Sequence, residues 1–149
     1  MGLREMSQLY KQVVLDYAKY PRNFGEVDHP TASLTLRNPS CGDEITVDLT
    51  INDDVITDAH FHGIGCTISK ASTSMMTVAL NGKSLDEAQA IIKAFQNNVI
   101  NKEITKTDKE KLGDASLLST VAQFPTRVRC ATLGWHVSEN IINEVKGDD

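Results

Sequence analysis

Cysteine is scarce in this chain. Three occur in 149 residues, and no two form a CxxC pair. An odd number excludes a closed disulfide framework and points to a reducing compartment, so the expected location is the cytosol. No apolar run approaches the roughly 20 residues of a membrane span. The segment Met1-Gly2-Leu3-Arg4-Glu5-Met6 carries charges where a secretory signal needs an apolar stretch. No Lys/Arg cluster stands out. Fifteen basic against twenty acidic residues leave a net charge of −5, which lacks the concentrated positive footprint of nucleic-acid binding and suits a basic partner, if any. No repeat, linker or low-complexity segment appears. With 40% apolar and 23% charged residues, the expectation is one domain over 1–149, long enough to bury its own core.

What is present reads as helix, strands, then helices. Met6, Tyr10, Val13, Tyr17 and Tyr20 recur every three or four residues and predict an amphipathic helix from Leu3 to Tyr20, ended by Pro21. Leu34 and Leu36 alternate with polar residues, as do Ile45, Val47, Leu49 and Ile51. After the turn residues Asn52-Asp53-Asp54, Val55, Ala59 and Phe61 are expected on one face, with Asp58, His60 and His62 on the other. A meander of three antiparallel strands is the simplest assembly. The period then changes. A helix is expected from Cys66 to Leu80, stopped by Asn81-Gly82. A second follows the capping box Ser84-Leu85-Asp86-Glu87. Asn101 to Lys111 has no apolar stripe and reads as a solvated loop or helix end. Asp114 is expected to cap a short helix through Leu117, Leu118 and Val121. Pro125 opens the last helix, on which Cys130, Leu133, Val137 and Ile141 share a stripe. The fold class is α+β, with a three-stranded antiparallel sheet packed against about five helices.

The chemistry-bearing residues fall at the joints of this scheme. Cys41 lies in Asn38-Pro39-Ser40-Cys41-Gly42-Asp43, before the second strand. Cys66 follows the third strand at a helix start, where free N–H groups and the helix dipole favour a thiolate. Antiparallel pairing places the start of one strand beside the end of the next, so Cys41 and Cys66 should be neighbours. The last helix would bring in Cys130. Three thiolates and the Asp43 carboxylate make a tetrahedral set suited to zinc or iron–sulfur chemistry. A lone cysteine in a cytosolic protein is more often a small buried hydrophobe, and Cys130, on its apolar stripe, fits that reading best. His60 and His62 are better read as exposed strand residues than as ligands, and His29 and His136 carry no motif. Trp135 and Met75-Met76 read as core or interface. Arg127 and Arg129 are solvated in the plainest reading.

Three motifs in order resemble a known family: NPSCGD at 38–43, GIGCTISKASTSMM at 63–76 and FPTRVRCATLGW at 124–135. They look like the IscU/NifU-type iron–sulfur cluster assembly proteins, most closely the SufU branch of Gram-positive bacteria, and the likeness spans nearly the whole chain. It implies a SufU/IscU-like fold with metal ligands at Cys41, Asp43, Cys66 and Cys130. Scaffold members of that family usually carry His before the third cysteine, where this chain has Arg129. The 63 residues between Cys66 and Cys130 are also more than in IscU. Both departures are similar to SufU. They imply a bound zinc and a role as acceptor of persulfide sulfur from a pyridoxal-phosphate cysteine desulfurase of the SufS type. The alternative implied is a scaffold for a [2Fe–2S] cluster. Cys41, in a glycine-bearing turn, is the expected acceptor, with Cys130 next. Arg127, one turn before Cys130, is expected to anchor the partner.

Overall fold

Period-two alternation over residues 32–64 builds the sheet that everything else leans on. A computed structural model describes residues 3–39 and 42–147, with side chains from residue 8 onward. It contains β1 (Ala32–Asn38), β2 (Asp43–Asn52) and β3 (Val55–Ile64), with β2 central and antiparallel to both neighbours. Asp53 and Asp54 close the β2–β3 hairpin, both with positive φ (51° and 60°), the two-residue turn whose twist matches flanking strands.

The alternation on β3 differs from the expected one in a single place. Thr50 pairs with Asp58 but Ile51 pairs with Ile56, so Thr57 is an extra residue on β3. Beyond the bulge Ala59 and Phe61 are buried as expected. Before it Ile56 takes the buried position and Val55 is only half-buried. A bulge of one residue moves every side chain on its far side to the opposite face.

The helices cover one face of the sheet. In chain order they are α1 (Leu3–Lys19), α2 (Thr67–Leu80), α3 (Leu85–Val99), α4 (Lys106–Leu112), a 3₁₀ segment (Gly113–Gln123) and α5 (Pro125–Lys146). α5 packs on β1 and β2, α2 on β3 and α5; α1 lies against α2, and α3 against α5 and the 3₁₀ segment. Val14 and Tyr17 of α1 are buried, and Tyr10 and Val13 half-buried. Tyr20 departs from the expected stripe. The helix ends at Lys19, before Pro21, and Tyr20 is 62% exposed. Ser84 Oγ accepts from the Glu87 amide at 3.1 Å, and Pro125 takes the first position of α5. Trp135, Met75 and Met76 are core residues. Trp135 stacks on Phe95 with centroids 3.9 Å apart, and its Nε1 donates to Ser72 Oγ at 2.9 Å.

Two further expectations are corrected. Asp114 does not cap a helix. The stretch it opens is 3₁₀ with no side-chain cap, and its carboxylate instead accepts the Tyr17 hydroxyl at 2.7 Å. The polar stretch 101–111 is solvated but is not merely a loop. Thr105 Oγ1 accepts the Asp108 amide at 3.0 Å and starts α4. No helix among the described residues is long and apolar enough to cross a membrane.

Candidate metal centre

The β-ladder brings the first of the predicted donors together. Asn38 pairs with Asp43 across β1–β2, and Glu44 pairs with Ile64 across β2–β3, so the start of β2 lies beside the chain leaving β3. Gly63 permits this. It has φ +133°, and a Cβ there would run into the Glu44 carbonyl oxygen. Three residues on, Cys66 occupies the N-cap of α2, in extended backbone. Its Sγ accepts the Ser69 amide at 3.4 Å, the role a serine hydroxyl usually fills. Its own amide donates to Asp43 Oδ1 at 2.9 Å, and its Sγ approaches Asp43 Oδ2 at 3.5 Å.

Cys130 arrives from the other end of the chain, on the sixth residue of α5. The approach of α5 to α2 sets its depth. Gly134, one turn after Cys130, faces Thr73 so closely that any Cβ would collide with that side chain. One carboxylate oxygen of Asp43 and the sulfurs of Cys66 and Cys130 lie within 4.8 Å of one another. A zinc tetrahedron with bonds near 2.3 Å has edges of about 3.8 Å, so these donors need only small side-chain adjustments to share an ion. Asp43 and Cys130 are buried, whereas Cys66 is exposed. The site is therefore open on the Cys66 side. Cys41, the fourth predicted donor and the expected acceptor, lies outside the described residues.

The histidines take no part. His60 Nδ1 is 2.9 Å from Asp58 Oδ1, and His62 Nε2 is 3.7 Å from Asp48 Oδ2. Among the described residues the one group of potential metal donors is Asp43, Cys66 and Cys130. Arg127 and Arg129 are exposed, and the Arg127 guanidinium sits 4.6 Å from the centroid of the Phe124 ring.

Sequence reasoning placed Tyr10 on an apolar stripe and missed its second surroundings. Burial raises its hydroxyl pKa; contact with Thr120 and the charge of Arg127 oppose that shift, and Cys66 adds to it. The α1 tyrosine thus stands near both Arg127 and a candidate ligand. Ile64, 75% exposed, and Phe124, 42% exposed, were also missed. Ile64 stands two residues before Cys66 and Phe124 just before the helix that carries Cys130, and bare apolar side chains of this kind are a signal that only the fold reveals.

Residues 9–131 match the family described as the NifU-like N terminal domain. The chain is 42% identical over 142 residues to the iron-sulfur cluster assembly scaffold protein IscU of Streptococcus pyogenes, spanning 95% of this chain and 87% of the relative. It is 39% identical over 142 residues to the zinc-dependent sulfurtransferase SufU of Bacillus subtilis, spanning 95% of both. A crystal structure described as an iron-sulfur cluster assembly scaffold protein for the SUF system from Fervidobacterium islandicum superposes with a TM-score of 0.82. It is 32% identical and covers 93% of this chain and 98% of its own.

Proposed function

The chain belongs to the NifU-like N-terminal domain family, and from that premise we propose that it serves iron–sulfur cluster biogenesis as a zinc-bound acceptor of persulfide sulfur. The observation that carries the reading is the meeting of Asp43, Cys66 and Cys130 within 4.8 Å, from a strand start, a helix cap and a helix interior. Two thiols and a carboxylate fit zinc, and Cys41 would complete the tetrahedron. Zinc bound there would hold the cysteines as thiolates and shield them from oxidation. The 39% identical Bacillus relative, named for zinc-dependent sulfur transfer, supports the same choice.

The donor is a PLP-dependent cysteine desulfurase carrying a cysteine persulfide. Cys41 Sγ, as thiolate, attacks the outer sulfur of that persulfide. A new S–S bond forms on Cys41 while the donor's S–S bond breaks, and the donor cysteine leaves as thiolate. Cys66 and Cys130 are tied to helices and serve as holding ligands. Asp43, the harder ligand, lets the site open. Arg127, beside the Phe124 ring, anchors the partner. The domain spans 1–149 as one unit and acts in the cytoplasm.

A second reading uses the same donors to assemble a [2Fe–2S] cluster. The Streptococcus relative, named as a scaffold, favours it. Elemental analysis of protein purified without added metal, paired with a desulfurase assay, separates the two. One zinc per chain, a stimulated desulfurase and the mass of one added sulfur on the Cys41 peptide are the expected results. Iron with sulfide and no stimulation would establish the scaffold instead. An adduct confined to Cys130 would move the acceptor role there.

A further inference from the structure

The sheet has two edges, and the chain treats them differently. The outer edge of β3 is covered by the protein itself. Phe61 accepts the Gly25 amide at 2.8 Å and donates to the Asn23 carbonyl at 3.0 Å. The Ala59 amide donates to Asn81 Oδ1 at 2.7 Å. The Ile56 amide donates to the Lys83 carbonyl, and the Ile56 carbonyl accepts the Gly82 amide, each at 2.8 Å. β1, at the other edge, has no such cover.

The ladder fixes which groups β1 leaves bare. Phe61 turns its N–H and C=O away from β2, so its partner Val47 turns both toward β1. Val47 pairs with Leu34. Ala32, Leu34 and Leu36 therefore bond inward to β2, whereas Ser33, Thr35 and Arg37 point their backbone groups outward. Among the described residues, none bonds to those outward groups. An unpaired edge is a template for another strand, and proteins usually blunt it with proline, lysine or a bulge. β1 reads Ala-Ser-Leu-Thr-Leu-Arg-Asn, has none of these, and keeps an unbroken register with β2.

We propose that β1 is the seam of a homodimer, in which β1 of a second copy pairs antiparallel with it about a twofold axis at Thr35. The edge is complementary to itself. Thr35 meets the second copy's Thr35, and Ser33 and Arg37 meet each other in both directions, for about six backbone hydrogen bonds. No like charges oppose one another in this register. An axis at Arg37 would set two arginines face to face, and an axis at Ser33 would run the pairing past the strand's start at Ala32. The Arg37 guanidinium is held by Glu44 at 3.1 Å. On the helix side each Leu34 meets a Leu36, and these half-buried side chains lose further contact with water. Antiparallel pairing sends the two candidate metal centres to opposite ends of the shared sheet. Asn38, the partner of Asp43, lies about 10 Å along the strand from the axis. Cys66 follows β3, two strands from the seam. The dimer thus leaves both centres uncovered. One strand edge is a small interface, so the association is weak and reversible.

Sedimentation equilibrium of the purified protein in reducing buffer, from micromolar to millimolar concentration, tests this. Wild type should pass from the mass of one chain to that of two. Thr35→Lys sets two lysines opposite each other, and Thr35→Pro removes the outward N–H without touching the ladder to β2. Each should raise the dissociation constant by about tenfold or more, with melting temperature and metal content close to wild type. Amide exchange of the wild type gives a readout free of variants. Ser33, Thr35 and Arg37 should gain protection as concentration rises, while Leu34 and Leu36 stay protected throughout. A wild type that remains one chain at millimolar concentration overturns the proposal. So does a dimer whose dissociation constant neither substitution moves, or whose outward amides exchange at the monomer's rate.

Discussion

Cys66 and Asp43 hold each other twice: the Cys66 amide donates to Asp43 Oδ1 at 2.9 Å, and Cys66 Sγ lies 3.5 Å from Oδ2. The carboxylate is thus both a candidate ligand and the brace that sets the loop between β3 and α2. Asp43→Ala removes both functions. Leaving the part-buried Cys66 amide without its acceptor should cost about 1 kcal/mol of metal-free stability, and zinc should exchange faster with a chelator. Asp43→Asn keeps an acceptor oxygen and should recover the metal-free stability but not the exchange rate. Urea unfolding and chelator competition measure the two. Wild-type exchange in Asp43→Ala would reduce Asp43 to a brace alone.

Cys66→Ala and Cys130→Ala should lose zinc affinity and thermal stability together. A ligand that binds only the folded state adds RT ln(1 + [L]/Kd), so most of the loss of stability should disappear when wild type and variants are compared in excess chelator. Both should retain a small deficit there, Cys66→Ala because its sulfur also accepts the Ser69 amide and Cys130→Ala because its side chain is buried. Melting curves with and without chelator test this.

Gly134→Ala touches no ligand. A Cβ there collides with Thr73 and pushes α5 from α2. Overpacking of this kind should cost about 1–3 kcal/mol. Because α5 carries Cys130 and α2 begins at Cys66, zinc affinity should fall as well. Chelator competition on the folded variant decides; unchanged affinity would mean that the two helices do not set the donor spacing.

The Tyr17 hydroxyl has its pKa pushed up to about 12, first by burial and then by donating to Asp114. The unfolded value is near 10. A raised pKa favours the protonated form in the folded state, so the contribution is complete below pH 10 and disappears between about 10 and 12. Tyr17→Phe should cost about 1 kcal/mol at pH 7, with the gap to wild type closing as pH rises through that window. Urea midpoints at pH 7 and at high pH measure it.

Thr105→Ala removes the acceptor at the start of α4 and should cost about 1 kcal/mol locally. Amide exchange over 106–112 should quicken while zinc affinity stays constant, since α4 lends no donor to the site.

The sheet, its order and the placement of Cys66 and Cys130 were legible because each rests on local signals: period two, turn residues, a proline at a helix start. The bulge at Thr57 was not, because an extra residue on one strand is defined only by its partner. Asp114 misled for a similar reason. An aspartate before an apolar run has the form of a cap, yet the hydroxyl of Tyr17, 97 positions away, claims its carboxylate. Asp43 and Cys66 could be read as candidate donors from their glycine-bearing turns, whereas Cys130, on an apolar helix stripe, joined them only through the family resemblance.

The three described candidate donors ride on elements whose apolar side chains are already buried: Ile45 of β2, Met76 of α2 and Trp135 of α5 are fully shielded from solvent. A zinc finger unravels when its ion departs, because the ion is its core. An ion held by Asp43, Cys66 and Cys130 would lie at the rim of that core rather than form it. Emptying such a centre would leave a standing socket rather than a loose chain, with the entropy of arranging these three groups settled at folding, not at each loading. Such a frame could exchange its inorganic guest many times over the life of one molecule.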